Sequence, residues 1–265
     1  MKKNFAIICL LLMVLSSNAQ TQNRKPATAK PRTTTATKPR TTTTAPKSNA
    51  AKATPKKKSV AGLCPDDNHP HAIDLGLPTG TRWACCNVGA SIPEECGGYF
   101  AEGEVKAKKY FWVENYKFND GSAANGSIDY GWYTTGHYDV RRTEYDAAKA
   151  VMGGKWYMPS LSLYEELLNN CTAEWKEFDG LAGIILTGPN GSSIFFPAAG
   201  YYWKSELSLY NEIGYYRPGT VHNNCNISRG YYTEIQLGKN SQRVDLYNSQ
   251  KRHLGVTVRA VLDEQ

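Results

Sequence analysis

Three glycine-led aromatic doublets carry the side chains best suited to holding a ligand: Gly200-Tyr201-Tyr202-Trp203, Gly214-Tyr215-Tyr216-Arg217 and Gly230-Tyr231-Tyr232-Thr233. Consecutive side chains of a strand leave on opposite faces, so each doublet should send one ring inward and one outward. Outward Tyr, Trp and Arg offer broad, rigid, amphipathic surface of the kind that meets a sugar face or a protein epitope. The plainer reading of any single ring is sheet packing, whereas the set as a whole reads as a binding surface. Arg243, Asp245 and Tyr247 alternate on the face opposite Val244 and Leu246, and the polar run Asn248-Ser249-Gln250-Lys251-Arg252-His253 follows as a loop, a common location for recognition. The expected ligand-binding residues are therefore Tyr201, Tyr202, Trp203, Tyr215, Tyr216, Arg217, Tyr231, Tyr232, Arg243, Asp245, Tyr247 and Arg252.

Catalysis finds little support. The histidines at 69, 71, 137, 222 and 253 have no Ser or Cys nucleophile motif nearby, and no G-x-S-x-G, H-E-x-x-H or phosphate-loop pattern occurs, so no enzyme and no catalytic residue is expected. The acidic pairs Glu165-Glu166 and Asp66-Asp67 read as a helix surface and a turn, not as carboxyls facing across a cleft. Asp120 to Asp129 lacks the spacing of a calcium loop. Cys64 with His69 and His71 is the single mixed Cys/His cluster, with irregular spacing and no C-x-x-C, so neither metal nor cofactor is expected.

The cysteines point instead to an oxidising compartment. Lys2 and Lys3 precede an apolar run from Phe5 to Leu15 and then Ser17-Asn18-Ala19, the pattern of a cleaved secretory signal over residues 1–19. The run is shorter than the ~20 residues of a spanning helix. Cys9 would leave with it, and Cys64, Cys85, Cys86, Cys96, Cys171 and Cys225 remain, an even set that reads as disulfide ends of open connectivity. Adjacent Cys85 and Cys86 should face opposite sides of a strand and serve separate bridges.

Charge divides the chain sharply. The first 60 residues hold 13 of the 31 Lys and Arg and none of the 24 Asp and Glu, so residues 61–265 are net acidic, with 18 basic against 24 acidic side chains. Residues 20–60 are a basic Thr/Pro/Lys-rich stretch that cannot bury enough surface to offset its ordering entropy. It is expected to be a disordered stalk reaching up to ~120 Å at ~3.1 Å per residue. Its first role is as a spacer, with weak binding to anionic surface polymers as the sharper alternative. Nucleic acid is a poor partner for an exported chain.

Residues 61–265 must then hold whatever site exists, as one domain. Ile73, Leu75 and Leu77, the turn Pro78-Thr79-Gly80 and the extended Thr81 to Val88 read as a hairpin with Trp83 on one face. Two helices follow. Thr143-Glu144-Tyr145-Asp146 resembles a capping box before a helix stopped by Gly153-Gly154, and Ser162 with Glu165 caps a second helix that places Tyr164, Leu167, Leu168 and Cys171 on one face. Gly188-Pro189-Asn190-Gly191 joins two strands, and alternation at Tyr231 to Leu237, Val244 to Leu246 and Val256 to Ala260 builds a closing meander.

In order along the chain, HAIDLGLPTGTRWACCNVGAS (71–91), GGYFAEGE (97–104), GGKWYMPSLSLYEELLNNCTAEW (153–175), TGPNGSSIFFPAAGYYW (187–203) and VTVRAV (256–261) occur. These runs resemble the Fibrobacter succinogenes major paralogous domain family of secreted bacterial proteins. The resemblance implies an α+β fold similar to C-type-lectin-like and formylglycine-generating-enzyme-like domains, with two helices packed on twisted antiparallel sheets and the terminal strands side by side. It implies pairing of Cys86 with Cys171, and it favours ligand presentation on the C-terminal strands. Glu102, Tyr157 and Leu163 depart from the family pattern, as does Arg217-Pro218-Gly219 in place of an aromatic-serine run. The expected function is a secreted or cell-surface, adhesin-like module recognising a glycan or a host or bacterial surface protein. A structural subunit or tip component of a surface appendage is the alternative, with a cryptic enzyme as a less favoured third reading.

Overall fold

A computed structural model describes residues 58–118, 139–220 and 231–263, with side chains of 231–234 and 241–251 left out. The signal expected at 1–19, nearly all of the stalk and Cys225 lie outside the described residues. The described chain is a small α+β protein, mostly antiparallel strands with two helices and no barrel.

Its centre is a sheet in which β1 (Ala72–Asp74) and β11 (Arg259–Leu262) flank β2 (Arg82–Asn87), so the two ends of the domain meet in one sheet. Every β2 residue after Arg82 is buried, and its two faces feed two cores. Trp83 packs with Leu75, Tyr164, Leu167, Phe196 and Val261, its ring edge-on to Tyr164 at 5.0 Å. Ala84 packs on the other side with Val88, Phe100, Ala147, Ala148 and Met158. Alternation along one strand thus organises both layers, and each large apolar side chain removed from water stabilises by roughly 1.5–3 kcal/mol.

Helix α1 (Ala147–Met152) is capped by Asp146, whose carboxylate accepts from the Lys149 N–H, and it stops at Gly153 with φ 69°. Thr143 does not cap it; its hydroxyl donates to the Val140 carbonyl and closes the preceding turn. Helix α2 (Leu161–Asn170) is capped by Ser160, two residues earlier than the expected Ser162, because Ser160 Oγ is the atom that reaches the Leu163 N–H. Tyr164 and Leu167 are buried, with Leu168 and Cys171 packed at the edge of the first core, as the helical spacing implies.

A second sheet runs β3 (Thr172–Phe178), β4 (Leu181–Thr187) and β5 (Ser193–Pro197), the last two joined through Gly188-Pro189-Asn190-Gly191. Gly188 is required there, since a Cβ would strike the Leu75 carbonyl. The hairpin of β6 (Tyr201–Trp203) and β7 (Glu206–Ser208) stands apart from the third sheet, in which β9 (Tyr231–Gly238) lies between β8 (Ile213–Tyr216) and β10 (Ser241–Lys251). Strand β10 continues through the segment 248–251 expected as a loop, with a register shift between Asp245 and Gln250. Pairing with β9 satisfies backbone groups that polar side chains alone made look like a loop.

One buried cation ties these layers together. Arg259 is fully buried and donates to Asn87 Oδ1 at 2.9 Å, the Ala84 carbonyl at 2.8 Å and the Phe195 carbonyl at 2.6 Å, with its guanidinium 4.3 Å from the centre of the Phe196 ring. Among the described residues no helix is long and apolar enough to cross a membrane.

Candidate functional site

The exposed aromatic surface is narrower than the sequence pattern suggests and includes residues it missed. Two-residue turn geometry between β6 and β7, with Trp203 opposite Glu206, puts Lys204 at φ 58°. The Phe111 N–H donates to the Lys204 carbonyl at 2.7 Å, and this bridge brings the segment Tyr110-Phe111-Trp112 alongside the hairpin. The Lys204 ammonium consequently lies between two indoles, 4.8 Å from the Trp112 ring and 5.5 Å from the Trp203 ring. Trp112 is 41 % exposed, Trp203 45 % and Tyr110 62 %, well above what core rings show, so these surfaces are available to a partner.

The platform rests on a packed base. Phe111 is buried and stacks on Tyr202 at 5.9 Å, while Tyr202 meets Tyr99 edge-on at 4.8 Å. The Tyr99 hydroxyl donates to the Ala199 carbonyl at 2.6 Å, and burial pushes its pKa well above the usual phenol range. A Cβ on Gly255 would enter the Phe111 ring, so this glycine sets how closely the β6 side of the sheet approaches.

The expected binding residues separate accordingly. Trp203 is exposed, and Tyr201 and Tyr202 are half-buried on opposite faces, Tyr201 against Tyr215 at 5.0 Å. Tyr215 and Tyr216 are both buried rather than split between core and solvent, because side chains pack on both faces of β8: Tyr201 covers Tyr215 on one, and Phe196 with the first core covers Tyr216 on the other. Tyr216 donates to the Pro197 carbonyl at 2.7 Å and packs edge-on to Phe196. Arg217 and Arg252 are buried too, 3.6 Å and 3.9 Å from the Glu102 carboxylate. Arg217 also donates to the Leu254 carbonyl at 3.0 Å. Burial raises the Glu102 pKa against the opposing pull of Arg252 and Arg217. For Tyr231, Tyr232, Arg243, Asp245 and Tyr247 only the strand positions on β9 and β10 are described.

Tyr110, Trp112 and Lys204 were not singled out from sequence. Their signal is compositional: Lys108-Lys109-Tyr110-Phe111-Trp112 and Tyr201-Tyr202-Trp203-Lys204 are the same mixture of aromatics and lysine, and nothing local shows that they meet.

The cysteines also differ from expectation. Cys64, Cys85, Cys86, Cys96 and Cys171 are all free thiols. Cys86 shares the face of β2 that carries Ala84, and its thiol donates to the Ala90 carbonyl at 3.8 Å, whereas Cys171 packs on the Trp83 side. The strand itself separates the two sulfurs, which precludes the Cys86–Cys171 bridge in this arrangement. Conversely, Cys85 and Cys86 are not independent. Alternation fixes Cβ, but χ1 rotation swings a γ atom along the strand, and the Cys85 sulfur lies within hydrogen-bonding reach of both the Cys64 and the Cys86 sulfurs. The hydrogen bond from Cys64, then that from Cys86, lowers the Cys85 pKa far below the usual thiol range, while the same bonds and burial raise those of Cys64 and Cys86.

Glu94 pins the start of the described chain. Its carboxylate accepts from the Ser59 hydroxyl and the Val60 N–H, each at 2.8 Å, and from the Ala61 N–H. A cavity of about 280 Å³ lies beside it, lined in part by Glu95, Cys96, Leu181 and Tyr210.

Comparisons of the chain with protein-family models, with curated proteins and with solved structures gave no match.

Proposed function

We propose that this protein is an exported, adhesin-like binding module that recognises a glycan or a surface protein through the aromatic platform of Tyr110, Trp112, Trp203 and Lys204. The single observation that carries the reading is the pair of exposed indoles flanking one ammonium on a two-residue turn. Indole faces stack on the apolar face of a sugar ring, and a cation poised between them adds a donor and polarises bound hydroxyl groups. Membership of the Fibrobacter succinogenes major paralogous family and a C-type-lectin-like arrangement are part of the same proposal. Their support is the five ordered motif runs, the two helices, and the meeting of β2 with β11. The signal-like residues 1–19 support export, and the basic stretch at 20–60 supports a spacer that presents the module.

Edge strand β3 counts against assembly by strand addition. Most of its residues are exposed and it carries Glu174, Lys176 and Glu177, the charged composition that discourages edge pairing. The test is a screen of the full chain on glycan and surface-protein arrays, followed by titration of the best hit. Binding that Trp203→Ala and Trp112→Ala each weaken about tenfold is expected. A hit that survives both substitutions would place recognition elsewhere, and concentration-dependent self-association with silent arrays would favour an appendage subunit.

A further inference from the structure

Four side chains with metal-ligating atoms converge where the described chain enters the central sheet. Pairing of Ala72 with Ala84 sets His71 directly across from Cys85, and the Cys85 N–H donates to the His71 carbonyl at 3.0 Å. His69 and Cys64 come back over the same spot from the preceding turn, so that one ligating atom each from Cys64, His69, His71 and Cys85 lies within 4.8 Å of the others. His69 Nδ1 is 3.2 Å and His71 Nδ1 3.8 Å from the Cys85 sulfur. A tetrahedral zinc ion with Zn–S of ~2.3 Å and Zn–N of ~2.0–2.1 Å requires ligand-to-ligand edges of ~3.3 to ~3.8 Å. The observed separations bracket that requirement.

We propose that Cys64, His69, His71 and Cys85 bind one zinc ion in a closed, structural Cys2His2 site that fastens residues 58–71 to the central sheet.

Three hydrogen bonds around the ligating atoms fit this. Asp66 Oδ1 stands 3.0 Å from His71 Nε2, so that with zinc bound the ring would donate there and offer Nδ1 as the ligand, the carboxylate-histidine arrangement that orients zinc ligands. Asp66 is itself held by the Asn68 N–H at 2.7 Å. The His71 N–H donates to the Cys85 sulfur at 3.1 Å, a backbone bond that stabilises thiolate character, which metal ligation requires. The mixed soft and borderline donor set with tetrahedral spacing selects zinc over magnesium or calcium. Four protein ligands leave no open position for a substrate water, so the role is cohesion rather than hydrolysis. Cohesion is needed here because residues 58–71 form no helix or strand, and besides these groups Glu94 supplies their main tether.

The site is tested on the full chain, purified under reducing conditions, by elemental analysis and by titration with zinc chloride and cobalt chloride. One zinc per chain is expected, and cobalt should give the d–d and sulfur-to-metal absorption of a tetrahedral site. Cys64→Ser and His69→Ala should abolish stoichiometric binding, while Cys171→Ser keeps it. Asp66→Asn changes an exposed carboxylate, leaves the fold intact by circular dichroism, and should weaken zinc about 10- to 100-fold. Absence of cobalt absorption in the reduced chain would overturn the proposal. So would zinc binding indifferent to Asp66→Asn and His71→Gln, or a peptide map showing Cys64 bonded to Cys85 in metal-free purified protein.

Discussion

The β1–β2 strand pair and the β6–β7 hairpin are both antiparallel ribbons, yet one gathers side chains inward and the other displays them. On β1–β2, cross-strand register aims His71 and Cys85 at a common point, and Arg259 holds the strand on either side of Cys85 through the Ala84 carbonyl and the Asn87 side chain. On β6–β7, a short turn pushes Lys204 out between Trp112 and Trp203, which remain two-fifths or more exposed. Convergence of polar atoms on a buried strand fits metal chemistry, and rigid exposed rings fit surface recognition. The contrast predicts that the two regions respond to different perturbations.

The largest separation should come from Arg259→Met. It strips three acceptors of a buried, charge-assisted donor, a change expected to cost roughly 3–5 kcal/mol because partners are left unsatisfied inside the core. Urea unfolding read by tryptophan fluorescence measures this. A loss under ~1 kcal/mol would mean that the guanidinium is not what holds β2 and β11 in register. Second in size is metal removal. If zinc stands at about 1,000 times its dissociation constant, a chelator should lower stability by about 4 kcal/mol, with Trp112→Ala and Trp203→Ala chains shifted equally. Unequal shifts would show that the two regions are energetically coupled.

How much of this was legible beforehand depends on whether local periodicity or long-range pairing decided each feature. The hairpin at 71–90, α2 with Tyr164 and Leu167 inward, and the strand pair around Asn190-Gly191 follow from alternation, helical spacing and turn chemistry, and all are observed. Local rules could not place the Cys85 sulfur. Alternation assigned Cys85 and Cys86 to separate bridges, whereas the register of β1 against β2 decides that Cys85 meets His71. Tyr215 and Tyr216 failed for a related reason: a doublet splits between core and solvent only if one face of its strand is open, and on β8 Tyr201 covers one face and Phe196 the other. Trp112 was missed because its partner Lys204 is supplied by a remote bridge at Phe111. Cap positions moved by a few residues, since Asp146 and Ser160 have the side-chain geometry that Thr143 and Ser162 lack.

On the surface side, Trp203→Ala should weaken ligand binding about tenfold, or about 1.4 kcal/mol, with little loss of stability because the ring is half in solvent already. Zinc content should not change. Isothermal titration beside metal analysis gives both readings from one preparation. Loss of zinc in this variant would collapse the distinction between a gathering ribbon and a displaying one.

The smallest effect is the most discriminating. Lys204 occupies the left-handed backbone region at φ 58°, where a residue with a Cβ is disfavoured by roughly 1–2 kcal/mol and glycine is not. Lys204→Gly relieves that strain but gives the unfolded chain more freedom, an opposing effect of roughly 0.5–1 kcal/mol, so stability should stay level or rise by less than about 1 kcal/mol. Ligand affinity should nonetheless fall several-fold, because the ammonium between the indoles is gone. Stability up with affinity down would identify Lys204 as a side chain kept for contact at some cost to the turn. A clear drop in melting temperature would instead make its stacking on Trp112 and Trp203 part of the fold, and the platform would then be packing that happens to face water.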